Sequence, residues 1–122
     1  MLLNDNSRKL FEKRLLLLIH HHADVDAVAS AIALQTVFKD AVICAPDRVS
    51  SHGQKIAEFN EAEILMNSPE EWGGTVVVLD SPNPEHCSPV PKTKHMIVID
   101  HHTKIGGWDE GTEIIHQPNK TS

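Results

Sequence analysis

Three short segments of the chain place acidic and imidazole side chains directly after apolar runs. In the first, "LLLLIHHHADVD", three histidines and two aspartates follow four leucines and an isoleucine. The second segment is "TVVVLD" and the third is "HMIVIDHH". The residues concerned are His20, Asp24, Asp26, Asp80, Asp100, His101 and His102. Oxygen ligands with some imidazole suit Mn²⁺, Mg²⁺ or Zn²⁺ better than a soft metal, and the two cysteines lie elsewhere. These residue types therefore indicate a metal-assisted reaction.

The elements that must position these side chains can be inferred from the apolar patterns. Continuous apolar runs of strand length at 14–20, 40–46, 75–80 and 95–100, with 113–116 as a fifth, predict strands buried on both faces. Helical spacing predicts helices over 26–38 and 51–66, with a short helix near 7–13; the proline-rich stretch 81–94 predicts a loop. Alternating strands and helices predict an α/β fold, a Rossmann-like three-layer sandwich with a mainly parallel sheet of about five strands.

Sites in open parallel sheets form outside the carboxyl ends of the strands, so the three polar segments are expected at one edge. The carboxylates outnumber what one cation needs, which suggests two cations sharing a bridging carboxylate. Two cations about 3.5–4 Å apart can activate water and clamp the oxygens of a phosphoryl group. Simpler roles remain open for single residues: Asp24 or Asp26 can cap the following helix, and His21 and His22 can be solvated loop residues.

Composition limits the partners. The chain has 122 residues and a formal charge of -6, which suits one domain and argues against a generic basic surface for long nucleic acid. A metal could still bring phosphates to an acidic site. Two unpatterned cysteines, Cys44 and Cys87, without a secretory signal indicate the reducing cytoplasm, and "LLLLI" is too short to span a membrane.

The segments "HHHADVDAVAS", "VVVLDS" and "VIDHH" resemble motifs I, II and III of the DHH phosphoesterase superfamily, over about residues 14–116. That family includes RecJ-like exonucleases, oligoribonucleases, cyclic dinucleotide phosphodiesterases, family II inorganic pyrophosphatases and exopolyphosphatases. The resemblance implies a phosphoesterase that hydrolyses phosphodiesters of short oligonucleotides or nucleotides. A pyrophosphatase or polyphosphatase-like hydrolase is the second interpretation.

The resemblance also implies a role for each residue. His20 and Asp24 would hold a first metal ion, Asp26 and His101 a second, and Asp80 would bridge the two. His102 would face the substrate phosphate, and Asp100 would fix a histidine through a hydrogen bond. The expected ions are two Mn²⁺ in the complete protein, with Mg²⁺ as the alternative.

The sequence departs from the family after the third motif. Relatives carry a fourth-motif aspartate well beyond DHH, whereas only Asp109 follows here, in the turn-like "GGWDEG", and it is not assigned. No second domain of the DHHA1 type follows, so residues 1–122 are expected to be the N-terminal DHH-type part of a longer protein. An inactive metal- or nucleotide-binding module therefore stays open, as does a flavodoxin-like or response-regulator domain with one Mg²⁺.

The expected partners are phosphate-containing small molecules or short single-stranded nucleic acid, with a homodimer as a further possibility. Arg48, Lys55, Lys92 and Lys104 are either phosphate contacts or solvated surface residues.

Overall fold

The computed structural model describes residues 12–20, 22–23, 25–46, 48–79, 81, 83–100, 106–108 and 112–116. The strands are β1 (Leu15–Ile19), β2 (His22–Ala23), β3 (Val42–Cys44), β4 (Arg48–Val49), β5 (Ile64–Leu65), β6 (Thr75–Leu79), β7 (His95–Asp100) and β8 (Glu113–His116). The helices are α1 (Val25–Val37), α2 (Ser51–Phe59) and a 3₁₀ helix at Pro84–Cys87.

Six strands form one parallel sheet in the order β5-β3-β1-β6-β7-β8. The chain moves outward from β1 through β3 to β5, then returns to the other side of β1 and continues through β6, β7 and β8. The topological switch point therefore lies between β1 and β6, where ligands bind in sheets of this type. The predicted α/β fold with a parallel sheet is confirmed, with six strands in the main sheet.

The two faces of the sheet carry separate apolar clusters, because successive side chains of a strand point to opposite faces. Leu15, Leu17 and Ile19 belong to the cluster under α1 and α2. Leu16 and Leu18 belong to the opposite cluster, which the 3₁₀ helix covers through Cys87, with Trp72 and Trp108 packed alongside. All residues of β1 and β6 are buried, which explains why both segments read as unbroken apolar runs. Each fully buried Leu side chain contributes roughly 1.5–3 kcal/mol, so these two strands anchor the fold.

Both helices pack closely through small residues, α1 on the sheet and α2 on α1. Ala27 and Ala31 of α1 are buried against the sheet. Helix α2 begins after Ser50, whose hydroxyl accepts a hydrogen bond from the Gly53 N–H at 3.0 Å. A Cβ added to Gly53 would lie 3.0 Å from methyl groups of both Val28 and Val49, so a side chain here would require these two residues to shift by a few tenths of an ångström. None of the described helices is long and apolar enough to cross a bilayer.

The second helix is shorter than predicted. It ends at Phe59, whereas helical spacing had extended it to residue 66. Glu61 has a positive φ of 54°, which ends the helical conformation, and Ile64 and Leu65 pair with β3 instead. The Ala45 N–H also donates to the Leu65 carbonyl at 2.8 Å, so pairing with the sheet outweighs the local helical preference.

Two other predictions need adjustment. The stretch 81–94 is not entirely loop, because it contains the 3₁₀ helix and a parallel bridge between Lys92 and Glu71. The predicted short helix at 7–13 lies outside the described residues except for Glu12 and Lys13, which are in a turn.

Candidate metal centre

The register of the sheet brings the carboxyl ends of four strands to the same level. Ile19 of β1 pairs with Leu79 of β6, which pairs with Ile99 of β7, which in turn pairs with Ile115 of β8. Neighbouring strands are about 4.8 Å apart, so this row spans the centre of the sheet and one side of it. Whatever follows these four residues begins at one edge.

Polar residues occupy the next level of the same row. His20 directly follows Ile19, and its side chain is partly buried. Asp100, the last residue of β7, stands opposite His116, the last residue of β8. Asp80 follows Leu79 in the sequence but lies outside the described residues. Histidine and aspartate residues thus follow the paired apolar strand ends, both at the switch point and on the strands beside it.

The structure places three of the seven predicted site residues. His20 follows β1, Asp100 ends β7, and Asp26 lies in the first turn of α1 with its side chain exposed. Asp26 is inside the helix, which begins at Val25, so the alternative that Asp26 is the capping residue is wrong. A carboxylate in the first turn is favoured there by the helix dipole.

The remaining four predicted residues lie outside the described part of the chain: Asp24, Asp80, His101 and His102. Three of them are predicted metal ligands. Within the described ranges, no group of three or more His, Cys, Asp or Glu side chains could hold a metal ion. The ligand assignments therefore stay predictions.

Sequence reasoning missed a small second sheet at the same edge. Strands β2 and β4 pair in parallel, with His22 opposite Arg48 and Ala23 opposite Val49. Each strand has two residues, too few to produce an apolar alternation that could be recognised in the sequence. The pairing brings the segment that follows β3 beside the histidine run that follows β1.

His116 was also missed. The segment 113–116 was expected to be a strand, and its last residue received no role. Only the strand register shows that His116 stands level with Asp100. A signal in the sequence was the imidazole at the end of an apolar run, the same signal that singled out His20.

The cysteines do not compete as metal ligands. Cys44 and Cys87 are buried in the apolar cluster on the sheet face away from α1. Burial raises the pKa of the Cys87 thiol to about 12, and burial also raises the pKa of Cys44. Both thiols are therefore protonated at neutral pH, and thiolate is the form that binds metals. The donors left at the carboxyl edge are carboxylates and imidazoles, a set that fits Mn²⁺ or Mg²⁺.

A buried hydroxyl lies next to this edge. Ser81, which follows Asp80 in the chain, is fully buried, and its Oγ has no hydrogen-bond partner among the described residues. It lies close enough to Cys87 to lower the pKa of that thiol, although less than burial raises it. A buried hydroxyl without a well-formed hydrogen bond costs about 1–3 kcal/mol. The position is therefore not optimised for stability.

One described cavity lies away from these residues. It has a volume of about 670 Å³ and is lined by residues 12–15 and 38–42, at the amino ends of β1 and β3. Its lining mixes Lys and Arg with Glu and Asp and contains none of the predicted site residues. This cavity is therefore separate from the candidate site.

Comparison with known families identifies the family of this chain. The sequence model of the DHH family, N-terminal domain, matches residues 14–122. The chain belongs to the DHH family, whose superfamily consists of metal-dependent phosphoesterases. The family membership predicted from the three motifs is thereby confirmed. No curated protein matched the chain.

Proposed function

We propose that this chain is the metal-binding domain of a phosphoesterase that hydrolyses phosphodiesters of short oligonucleotides or nucleotides with two divalent cations, Mn²⁺ by preference. The observation that carries the proposal is the row of strand ends at the switch point. Ile19, Leu79 and Ile99 pair in sequence, so the residues that follow them start side by side. Membership of the DHH family supports the same chemistry.

The proposed ligands divide between two cations. His20 and Asp24 hold the first, Asp26 and His101 hold the second, and Asp80 bridges them. Such a pair lowers the pKa of water and neutralises charge on a phosphoryl group. The buried strands β1 and β6 give His20 and Asp80 a rigid base, which metal geometry requires.

In this proposal, His102 contacts the substrate and Asp100 orients a histidine ring. His102 donates a hydrogen bond to a phosphoryl oxygen, where negative charge increases in the transition state. Asp100 accepts a hydrogen bond from a histidine ring and so fixes which ring nitrogen is free to bind metal.

The distribution of cations favours a short substrate. Five described Lys and Arg residues precede strands and so lie at the amino edge: Lys13, Arg14, Lys39, Lys92 and Lys94. Arg48 follows β3 and stands opposite His22, at the carboxyl edge. An arginine there suits one phosphate group, whereas a long duplex needs many cations along one face. The net charge of -6 points the same way.

The test is Mn²⁺ binding measured by calorimetry on the chain and three variants. The wild type should bind two ions, Asp80→Ala should bind none, and Asp26→Asn should keep one. Asp40→Ala is the matched control, because Asp40 is an exposed aspartate just before β3, at the amino edge, and should leave both ions in place. Unchanged metal content in Asp80→Ala would show that the bridging assignment is wrong.

Rates of hydrolysis test which substrate the proposed enzyme uses. With Mn²⁺, the chain should release mononucleotides from a phosphorylated dinucleotide faster than it releases phosphate from pyrophosphate. Faster hydrolysis of pyrophosphate would contradict the nucleotide substrate and support the second interpretation, a pyrophosphatase or polyphosphatase-like hydrolase. Two bound ions without hydrolysis of either compound would support the non-catalytic module and reject the enzyme.

A further inference from the structure

Two adjoining cavities lie at the amino ends of β7 and β8. The first, the apolar cavity, has a volume of about 400 Å³, and most of its lining is apolar: Pro84, Val90, Pro91, Met96 and Trp108. The second, the cationic cavity, has a volume of about 520 Å³, and its charged and aromatic lining residues are Glu71, Trp72, Lys92, Lys94 and His95. Lys92 and Thr93 line both cavities, which therefore share a wall.

These cavities are separate from the candidate metal centre. Val90, Met96 and Trp108 pack against the apolar cluster on the sheet face away from α1. Met96 is the second residue of β7, which ends at Asp100, so Met96 lies about 13 Å along the strand from the carboxyl edge. None of the predicted site residues is among those that line either cavity. A ligand bound here would therefore not compete for the proposed metal ligands.

The apolar cavity suits a flat ring. Trp108 and Met96 are both partly buried, and aromatic ligands stack on indole rings and contact thioether sulfur favourably. A Cβ added to Gly107 would lie 3.1 Å from Cδ of Pro84, so the segment before Trp108 packs closely on the 3₁₀ helix. The walls of the apolar cavity are therefore held in place by packing, with an indole ring among them.

The cationic cavity suits a phosphate group. Lys92 and Lys94 are exposed, and no ion pair within the described residues neutralises either ammonium group. Glu71 contributes the one carboxylate of the described lining, so positive charge exceeds negative charge there. The Lys92 N–H donates to the Glu70 carbonyl at 2.8 Å, and the Lys92 carbonyl accepts from the Trp72 N–H at 2.9 Å. This fixed backbone reduces the ordering cost of binding, and ammonium groups form strong hydrogen bonds with phosphate oxygens.

We propose that the two cavities form a binding site for a nucleoside monophosphate, with the base in the apolar cavity and the phosphate at Lys92 and Lys94. A flat apolar ring joined to an anionic group matches an apolar cavity joined to a cationic one. Two lysines suit a single phosphate, whereas long nucleic acid needs many cations along one face. The site goes beyond the proposed function, because it requires no divalent cation and catalyses no reaction.

The first test is binding of adenosine 5′-monophosphate (AMP), measured by calorimetry with a chelator present so that no divalent cation takes part. Lys92→Gln and Lys94→Gln should each weaken binding by about 10-fold, the loss expected for one charge-assisted hydrogen bond. Lys39→Gln is the matched control, because Lys39 is an exposed lysine that lines a different cavity. Equal affinities for the wild type and Lys92→Gln, or no binding of AMP to the wild type, would overturn the inference.

Tryptophan fluorescence shows whether the base enters the apolar cavity. The chain has two tryptophans, so Trp72→Phe leaves Trp108 as the sole reporter without any substitution in the apolar cavity. A base stacked against an indole ring quenches its emission, so AMP should lower Trp108 fluorescence with the dissociation constant that calorimetry gives for the same variant. Unchanged Trp108 emission at saturating AMP would place the base outside the apolar cavity and contradict the proposal.

The separate parts of AMP distinguish a nucleotide site from a simple anion site. Adenosine should quench Trp108 but bind more weakly than AMP, and inorganic phosphate should compete with AMP without quenching Trp108. Inorganic phosphate that binds as tightly as AMP would show that the base contributes nothing, which would reject a nucleotide site. The proposed function fails by a different result, namely wild-type metal content in Asp80→Ala, so the two failures are distinguishable.

Discussion

The amino and carboxyl edges of the sheet use their polar residues differently. At the amino edge, polar groups satisfy each other and tie the start of β1 to the start of β6. The Arg14 carbonyl accepts hydrogen bonds from the Thr75 N–H at 2.9 Å and from the Trp72 indole N–H at 3.0 Å. The Arg14 guanidinium also lies 5.3 Å from the centre of the Trp72 ring, within the range of a cation–π interaction.

The same local pairing extends to the neighbouring strand. The Thr93 hydroxyl lies 3.1 Å from the Gly74 carbonyl and accepts the N–H of His95 at 3.2 Å, at the start of β7. On the other side of β1, the Gln35 side-chain amide donates to the Ala41 carbonyl at 2.9 Å before β3. These contacts complete the backbone hydrogen bonding that the loops would otherwise leave to water.

At the carboxyl edge, the polar residues differ in type and in hydrogen bonding from those at the amino edge. His20, Asp26, Asp100 and His116 are imidazoles and carboxylates, and Ser81 is buried without a described hydrogen-bond partner. Proteins tolerate a locally unfavourable residue such as the buried Ser81 mainly at functional sites. The difference agrees with the proposal that the carboxyl edge carries the chemistry, whereas the amino edge supports folding. Substitutions at the two edges should therefore affect different measurements.

The largest effect on stability is expected at Gly74, at the amino edge. A Cβ there would lie 2.0 Å from the Arg14 carbonyl oxygen, which is backbone and already accepts two hydrogen bonds. Gly74→Ala should lower the free energy of unfolding by about 3 kcal/mol, the upper end of the usual cost of overpacking. Denaturant unfolding followed by circular dichroism measures the change.

Gly73→Ala is the matched control for that substitution, because nothing lies within 4 Å of a Cβ added at Gly73. It should change the free energy of unfolding by less than about 0.5 kcal/mol, as surface substitutions usually do. Equal destabilisation by the two alanines would show that the close approach of Gly74 to Arg14 does not constrain the fold.

A smaller effect is expected at Trp72. Trp72→Phe keeps an aromatic ring but removes the N–H that donates to the Arg14 carbonyl, which retains the hydrogen bond from Thr75. The free energy of unfolding should fall by about 1 kcal/mol, the typical net value of one hydrogen bond. Mn²⁺ stoichiometry should stay as in the wild type. A loss of metal binding in a folded Trp72→Phe protein would break the division between the two edges.

The smallest effect is expected at Ser81, beside the carboxyl edge. Ser81→Ala removes a buried hydroxyl that has no described hydrogen-bond partner, so the free energy of unfolding should stay equal or rise by up to about 1 kcal/mol. Because that hydroxyl lowers the pKa of Cys87, the pKa of this thiol should rise in the variant. Thermal unfolding and alkaline titration of thiolate absorbance provide the two readings. Clear destabilisation would mean that the hydroxyl does have a stabilising partner.

The fold was predictable where burial determines which residue types a segment contains. Strands β1, β6, β7 and β8 lie within the predicted runs, because residues buried on both faces must be apolar throughout. Helix α1 begins and ends within one residue of its prediction. Strand β5 was not predictable, because Ile64 and Leu65 form a strand only through pairing with β3. The pairing of β2 with β4 was missed for the same reason.

The candidate site was predictable in part. Residue types after apolar runs identified His20, Asp26 and Asp100 as members of one edge, since every parallel strand points its carboxyl end the same way. Spacing along the chain does not reveal which strands are neighbours across the sheet. Only the strand register showed that His116 stands opposite Asp100 and that Arg48 stands opposite His22.

By itself, the sequence determined the secondary-structure class, the apolar strands and the family, because these depend on residue type and local order. Tertiary structure alone decided the strand order, the switch point between β1 and β6, and the level at which each strand ends. The physical reason is that hydrogen bonds between strands join residues far apart in the chain, as with Leu15 and Thr75. Their register is fixed by which side chains fit the buried faces, and local sequence does not encode that choice.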